Sequence, residues 1–191
     1  MLFVGISDRT VLGKKQTGNE GTVSVEDKAK AQWKFNQVQC SVAIDVHDNL
    51  NLQNQTLIPG DYLTWSDDFS EGNRTVKTES DCPDGYTLSV YTDNVKPNSV
   101  PVLDDFSFSV TKGSSQADPG SVDLFLSSWT SLTEGEMNSV DIGEVTESDL
   151  SGNLNNVNGT EWIVDYRYLM DADDEPNREY FVEMTYVVSS R

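Results

Sequence analysis

Two cysteines, Cys40 and Cys82, and one histidine, His47, are the side chains of this sequence best suited to covalent or metal chemistry. The cysteines lack Cys-x-x-Cys spacing, and a structural zinc wants four nitrogen or sulfur ligands, so no zinc site is spelled out. Both fall at expected strand positions or ends. A disulfide between strands is the expectation, and it suits a secreted protein; two buried free thiols in a reducing compartment are the alternative. His47 lies in a polar stretch with Asp45 and Asp48, without Gly-x-Ser-x-Gly or a neighbouring cysteine to activate. Glycosidase chemistry needs two carboxylates flanking a sugar, and 32 acidic side chains single out no pair. No catalytic residue is predicted, and the chain is expected not to be an enzyme.

Oxygen ligands cluster in the run Asp171–Glu175, where Asp171, Asp173 and Glu175 are calcium candidates. An EF-hand is excluded there, because Pro176 stands where the loop needs glycine and Val182 where it needs glutamate. A solvated turn in an acidic protein is the competing expectation. No other cofactor is indicated. Three sequons, at Asn54, Asn73 and Asn158, are glycosylation candidates, a number that chance alone gives at this Ser and Thr content.

These residues must be positioned by strands. In Glu161–Met170, Trp162, Val164, Tyr166, Tyr168 and Met170 share one face. In Glu179–Val188, Tyr180, Val182, Met184, Tyr186 and Val188 do the same. Alternation over ten residues is the period of a half-buried strand. Asp171–Arg178, with Pro176 and Asn177, carries turn chemistry, so the two runs are expected to pair as an antiparallel hairpin. Shorter runs predict strands at Val38–Val46, Tyr62–Trp65, Thr75–Thr78, Tyr86–Val90, Asp105–Thr111 and Ser121–Ser127, with weaker ones at Trp129–Leu132 and Val140–Val145. Ala29–Phe35 also alternates, a helix over Glu26–Phe35 being the alternative. Asn49–Gln55, Lys112–Gly120 and Ser148–Gly159 are expected loops. The fold class is therefore all-β, an antiparallel Ig-like or jelly-roll-type sandwich.

The net charge of −19 excludes nucleic acid as an expected partner and opposes docking on anionic membranes. Salty surroundings would screen such self-repulsion. Six basic against four acidic side chains give residues 1–34 a net +2, leaving −21 on the rest. Met1–Ile6 is too short for a secretory hydrophobic region, and no run approaches a membrane span; either the numbering follows signal removal or the protein is cytosolic. As an extended apolar strand (Met1, Leu2, Phe3, Val4, Ile6) it must find a sheet edge in its own molecule or another. Ser7–Gly21 reads as a glycine-punctuated tether. The expected organisation is an extended arm over residues 1–21 and a single sandwich over residues 22–191.

The stretch VKTESDCPDGYTLSVYTDN, around Lys77–Asn94, resembles a pattern of secreted bacterial and archaeal surface modules with Ig-like folds. WIVDYRYLMDADDEPNREYFVEMTYVV is similar to their closing hairpin, and LIPGDYL resembles the L-x-P-G-D-x-L of camelysin-like matrix fibre subunits. Together these stretches cover about a quarter to a third of the chain. The resemblance implies an extracellular or cell-surface sandwich that decorates a surface or polymerises, in some members by strand donation. The leading expectation is a filament subunit whose partners are copies of itself, joined through the N-terminal strand. A monomeric adhesion module binding carbohydrate or protein through end loops, and a viral capsid or decoration protein, are the alternatives.

Overall fold

The computed structural model describes residues 2–5, 40–47, 50–52, 58–67, 69–96, 100–152, 154, 157–172, 174 and 180–191. Along the chain run β1 (Leu2–Gly5), β2 (Val42–Asp45), β3 (Leu50–Leu52), β4 (Tyr62–Thr64), β5 (Thr75–Ser80) and β6 (Tyr86–Lys96). A short helix, α1 (Val100–Asp105), leads into β7 (Phe106–Ser115), β8 (Val122–Leu124), β9 (Val140–Val145), β10 (Thr160–Leu169) and β11 (Tyr180–Ser190). The first sheet has the order β3-β1-β11-β6-β9-β8. The second is built on β10, which pairs with β7 along one edge and with β5 and β4 along the other, β2 lying outside β5. The all-β sandwich expected from the sequence is the fold.

Alternation sets its core. Along β10, Trp162, Val164, Tyr166 and Tyr168 are buried and the residues between them only partly so. Val182, Met184 and Tyr186 of β11, Tyr86, Leu88 and Val90 of β6, and Phe106, Phe108 and Val110 of β7 complete the dry layer. Trp65 meets Phe106 and Tyr166 edge-on, with ring centroids 6.4 and 6.3 Å apart. Such contacts favour the ring quadrupoles beyond simple burial. Gly85, at φ 74°, closes the turn between β5 and β6 by donating its N–H to Cys82 O, and a Cβ there would strike the Val145 carbonyl.

Five expectations are corrected. β10 and β11 do not pair: they belong to different sheets. A one-sided apolar pattern demands a buried face without saying which strand shares its ladder, and turn residues suit a connection between sheets as well as a hairpin. Leu50–Leu52, expected in a loop, is β3, paired with β1. β7 runs on to Ser115 through what was expected to be loop, because β10 offers it partners as far as Thr160. Trp129–Leu132, expected as a weaker strand, forms only an isolated bridge between Thr130 and Phe108. Val100–Asp105 forms a helix that the pattern did not signal. The expected strand at Ala29–Phe35 lies outside the described residues.

The two sheets are also bolted through the core by hydroxyls. Tyr166 OH of β10 lies 2.7 Å from Tyr186 OH of β11 and 2.9 Å from His47 Nε2 beyond β2. Burial pushes both tyrosines above the usual phenol range, so both stay neutral. Tyr166→Phe strips the shared partner from the Tyr186 hydroxyl and is expected to lower stability by about 1–3 kcal/mol. Tyr166→Phe with Tyr186→Phe together should recover part of that loss, measured as urea-unfolding midpoints of the three variants.

Candidate functional site

Three places gather polar or unusual structure: the slot that holds β1, a stapled corner around Cys82, and the acidic end of β10.

β1 lies between β11 and β3. Leu2 is in register with Tyr180 and Gly5 with Glu183 in a parallel ladder, while Leu2 to Val4 run antiparallel to Leu52 to Leu50. It is the one strand ladder among the described residues that is parallel, the others being antiparallel. Of the predicted assembly residues, Leu2, Phe3 and Val4 therefore stand in a sheet; Met1 and Ile6 fall outside the described residues. A parallel partner needs a crossover connection rather than a tight turn, and the rest of the chain separates β1 from β11.

At the stapled corner Cys40 and Cys82 form the expected disulfide, with their Cα atoms 4.8 Å apart. It ties the entry to β2 to the turn after β5. Asp81 adds a second clasp: its Oδ1 accepts the Ser41 N–H at 2.5 Å, and its own N–H is donated to Ser41 O. Cys40, Asp81 and Cys82 are the one group of three candidate metal ligands among the described residues, and its two sulfurs are bonded to each other. Beside this corner, two carboxylates that sequence reading passed over are sunk into the protein. Asp149, 1% exposed, accepts hydrogen bonds from Ser80 N–H, Tyr86 OH and Thr160 Oγ1, each at 2.7 Å. Burial raises its pKa above the usual carboxylate range, and these three donors oppose that rise. Glu79 accepts from the Ser151 N–H and hydroxyl with Oε1 and from the Asn158 N–H at 3.2 Å with Oε2. The two carboxylates thus pin the connection from β9 to β10 onto the end of β5. Gly159 passes so close that a Cβ would stand 2.6 Å from Asp149 Oδ2. The sequence hid them, because an acidic residue among Ser, Gly and Asn reads as loop whether its carboxylate faces water or protein.

The predicted calcium residues are divided. Asp171 lies at the end of β10, whereas Asp173 and Glu175 fall outside the described residues. Asp174 is committed within the turn: it accepts from Tyr168 OH at 2.8 Å and from the Asp171 N–H at 2.9 Å. Asp105, at the end of α1, is pushed up to about 6, first by burial and then by Asp171, Asp174 and Asp104. The sign of its effect follows. Between about pH 4 and 6 the folded chain binds more protons at Asp105 than the unfolded chain, so its contribution to stability falls as pH rises. Asp105→Asn is expected to unfold at a higher temperature than the unchanged protein at pH 7, the difference shrinking towards pH 4. Paired thermal melts across that range check it.

Of the predicted sequons, Asn73 is exposed in the short turn before β5 and Asn158 is exposed before β10; Asn54 falls outside the described residues. On the outer face of the second sheet Arg167 stacks between two aromatic rings, 4.5 Å from the centroid of Tyr62 and 4.3 Å from that of Trp129. Its Nε donates to Ser107 Oγ at 2.9 Å. Tyr62 and Trp129 are 51% and 36% exposed. Among the described residues, no helix is long and apolar enough to cross a membrane.

Fold and corner together define an all-β sandwich, disulfide-stapled at one corner and carrying an inserted parallel strand. No family model, curated protein or solved structure matches the chain.

Proposed function

We propose that this chain is a structural subunit of an extracellular filament, in which β1 of one copy fills the slot between β3 and β11 of the next. The observation that carries the reading is β1 itself, a strand paired on both edges, parallel to β11, and joined to the sandwich through residues 6–39. The slot is defined by main-chain groups and is the same whether the occupant comes from the same copy or a neighbour. Residues 6–39 can extend to roughly 110 Å. Donation from each copy to the next does not close on itself, and it therefore makes a fibre. The net +2 of residues 1–34 against −21 elsewhere favours the encounter of one copy's arm with another's body. The disulfide fits a non-reducing compartment.

Negative-stain electron microscopy at low and high salt tests this. Full-length protein is expected to form filaments, and a chain lacking residues 1–21 to stay folded and monomeric. Filaments from the shortened chain, or monomers from the full-length one in every condition, would sink the reading.

A second reading, a surface adhesion module, has one observation in its favour: the exposed Tyr62–Arg167–Trp129 row, whose residue types recur at the centres of binding interfaces. It requires glycan or protein binding by monomers that survives loss of residues 1–21 and is lost in Trp129→Ala.

A further inference from the structure

Arg167, on the outer face of the second sheet, is a cation without a carboxylate. Of the other arginines among the described residues, Arg74 lies 3.3 Å from Asp165 and Arg191 2.8 Å from Glu144. No described carboxylate stands within ion-pair distance of Arg167, in a chain with 32 acidic side chains against 13 basic ones. Its Nε is spent on Ser107 Oγ, which leaves both Nη groups without an acceptor among the described residues. Tyr62 and Trp129 cover its flat sides, so what it offers a ligand is its edge. An edge-on guanidinium is a fork for a planar oxyanion. The two rings and Ser107 hold that fork before a ligand arrives, so little freedom remains to be lost on binding. Thr64, in register with Arg167, and Ser109, in register with Asp165, place partly exposed hydroxyls on the same face.

We propose that this fork binds the carboxylate of an acidic sugar, carried by an otherwise neutral glycan. It needs no strand donation: it names a ligand for the aromatic row on which the adhesion reading rests, and a filament would carry the site once per copy. Charge selects the anion. The net −19 penalises each further negative charge brought near, which favours a single carboxylate over a phosphate or a polyanion. The rings select the sugar. Tyr62 and Trp129 stay exposed on either side of the guanidinium, and the negative face of an aromatic ring suits the faintly positive C–H groups of a sugar. An acidic sugar bears its carboxylate directly beside such a C–H face. A polypeptide carboxylate stands on a flexible stem and brings no face with it. The hydroxyls of Thr64 and Ser109 suit the sugar's own.

Saturation-transfer NMR on the full-length protein tests it, because the sugar's own protons are read and filaments serve as well as monomers. The probes are glucuronate, galacturonate and N-acetylneuraminate, with glucose, acetate and triglutamate beside them. At least one acidic sugar is expected to bind, and about tenfold or more tighter than glucose, acetate or the peptide. High salt should weaken it. Arg167→Lys keeps the charge but loses the fork, and it should weaken binding about tenfold, as should Trp129→Ala. The comparison of probes on the unchanged chain decides even where a variant unfolds. Transfer to none of the three acidic sugars would overturn the proposal. So would glucose binding as tightly (a neutral-sugar face), acetate as tightly (a simple anion site) or triglutamate as tightly (a polypeptide site). None of these results touches strand donation, and monomers in the filament assay would leave the sugar site standing.

Discussion

A chain with both Cys40 and Cys82 replaced by serine is expected to be about 4 kcal/mol less stable than the oxidised protein, from the loop-entropy relation at a sequence separation of 42. For a domain of this size that corresponds to a fall in melting temperature of roughly 8–16 °C. The effect acts chiefly on the unfolded chain, which regains the conformations the cross-link forbids. The folded state has its own reason to feel the change. β2 has only four residues and pairs with β5 alone among the described residues, so the disulfide fixes an edge that the ladder holds weakly. Reduction of the unmodified protein should reproduce the loss. Urea unfolding of oxidised, reduced and serine forms measures it, and a difference below about 1 kcal/mol would mean that the reduced unfolded chain remains compact.

The second large effect is expected at Arg74. β4 and β5 share one edge of β10, the first pairing Arg167 to Leu169 and the second Thr160 to Ile163. Between them, among the described residues, that edge of β10 has no ladder partner at Val164 to Tyr166. Arg74 fills that gap. Its Nη1 donates to Val164 O at 3.2 Å and its Nε to Phe69 O at 3.1 Å, and Nη1 lies 3.3 Å from Asp165 Oδ1. The side chain is 7% exposed, so removing it leaves two carbonyls and a carboxylate each short of a donor in a mostly dry place. Arg74→Met is expected to lower stability by about 3 kcal/mol, the lower part of the range for a broken buried pair, because Asp165 is 25% exposed and can recover some hydration. Arg74→Lys should not rescue it, since one ammonium lacks the planar fork that reaches both carbonyls. Arg74→Met combined with Asp165→Leu should lose less than Arg74→Met alone. Chemical-denaturation midpoints decide; a loss below 1 kcal/mol for Arg74→Met would show that the junction of β4 and β5 holds without it.

The long strands were legible because their burial is one-sided and their period is 2. Trp162, Val164, Tyr166 and Tyr168 turned inward as their spacing requires, as did Val182, Met184 and Tyr186. Their partners were not legible. An inward Tyr166 can face Tyr186 across a core as well as beside it in a ladder, and alternation is silent between the two. The disulfide was readable from count and position. Arg74 was not: in Asn73-Arg74-Thr75 it passes for the middle of a sequon, and only the break in β10's edge gives it a task. Asp149 and Glu79 were hidden for a related reason, since a carboxylate solvated by main-chain N–H groups leaves no compositional trace. β3 is too short for its alternation to stand out from the Asn-rich stretch around it.

In the proposed filament the staple also decides where a pull is felt. Tension arriving from a neighbour through residues 6–39 reaches the sandwich at Cys40, where the covalent bridge hands it at once to Cys82. Residues 41–81 lie inside the bridged loop and stay slack, so the four-residue β2 is never asked to resist. From Cys82 the load passes through the Gly85 turn into β6, and from there into β11 along ten paired positions. β11 is the strand that grips the inserted β1. The fibre would thus be a chain of alternating covalent bridges and long ladders. Its weakest link under force would be the inserted strand, and reducing the disulfide would move that weakness to the edge of the second sheet.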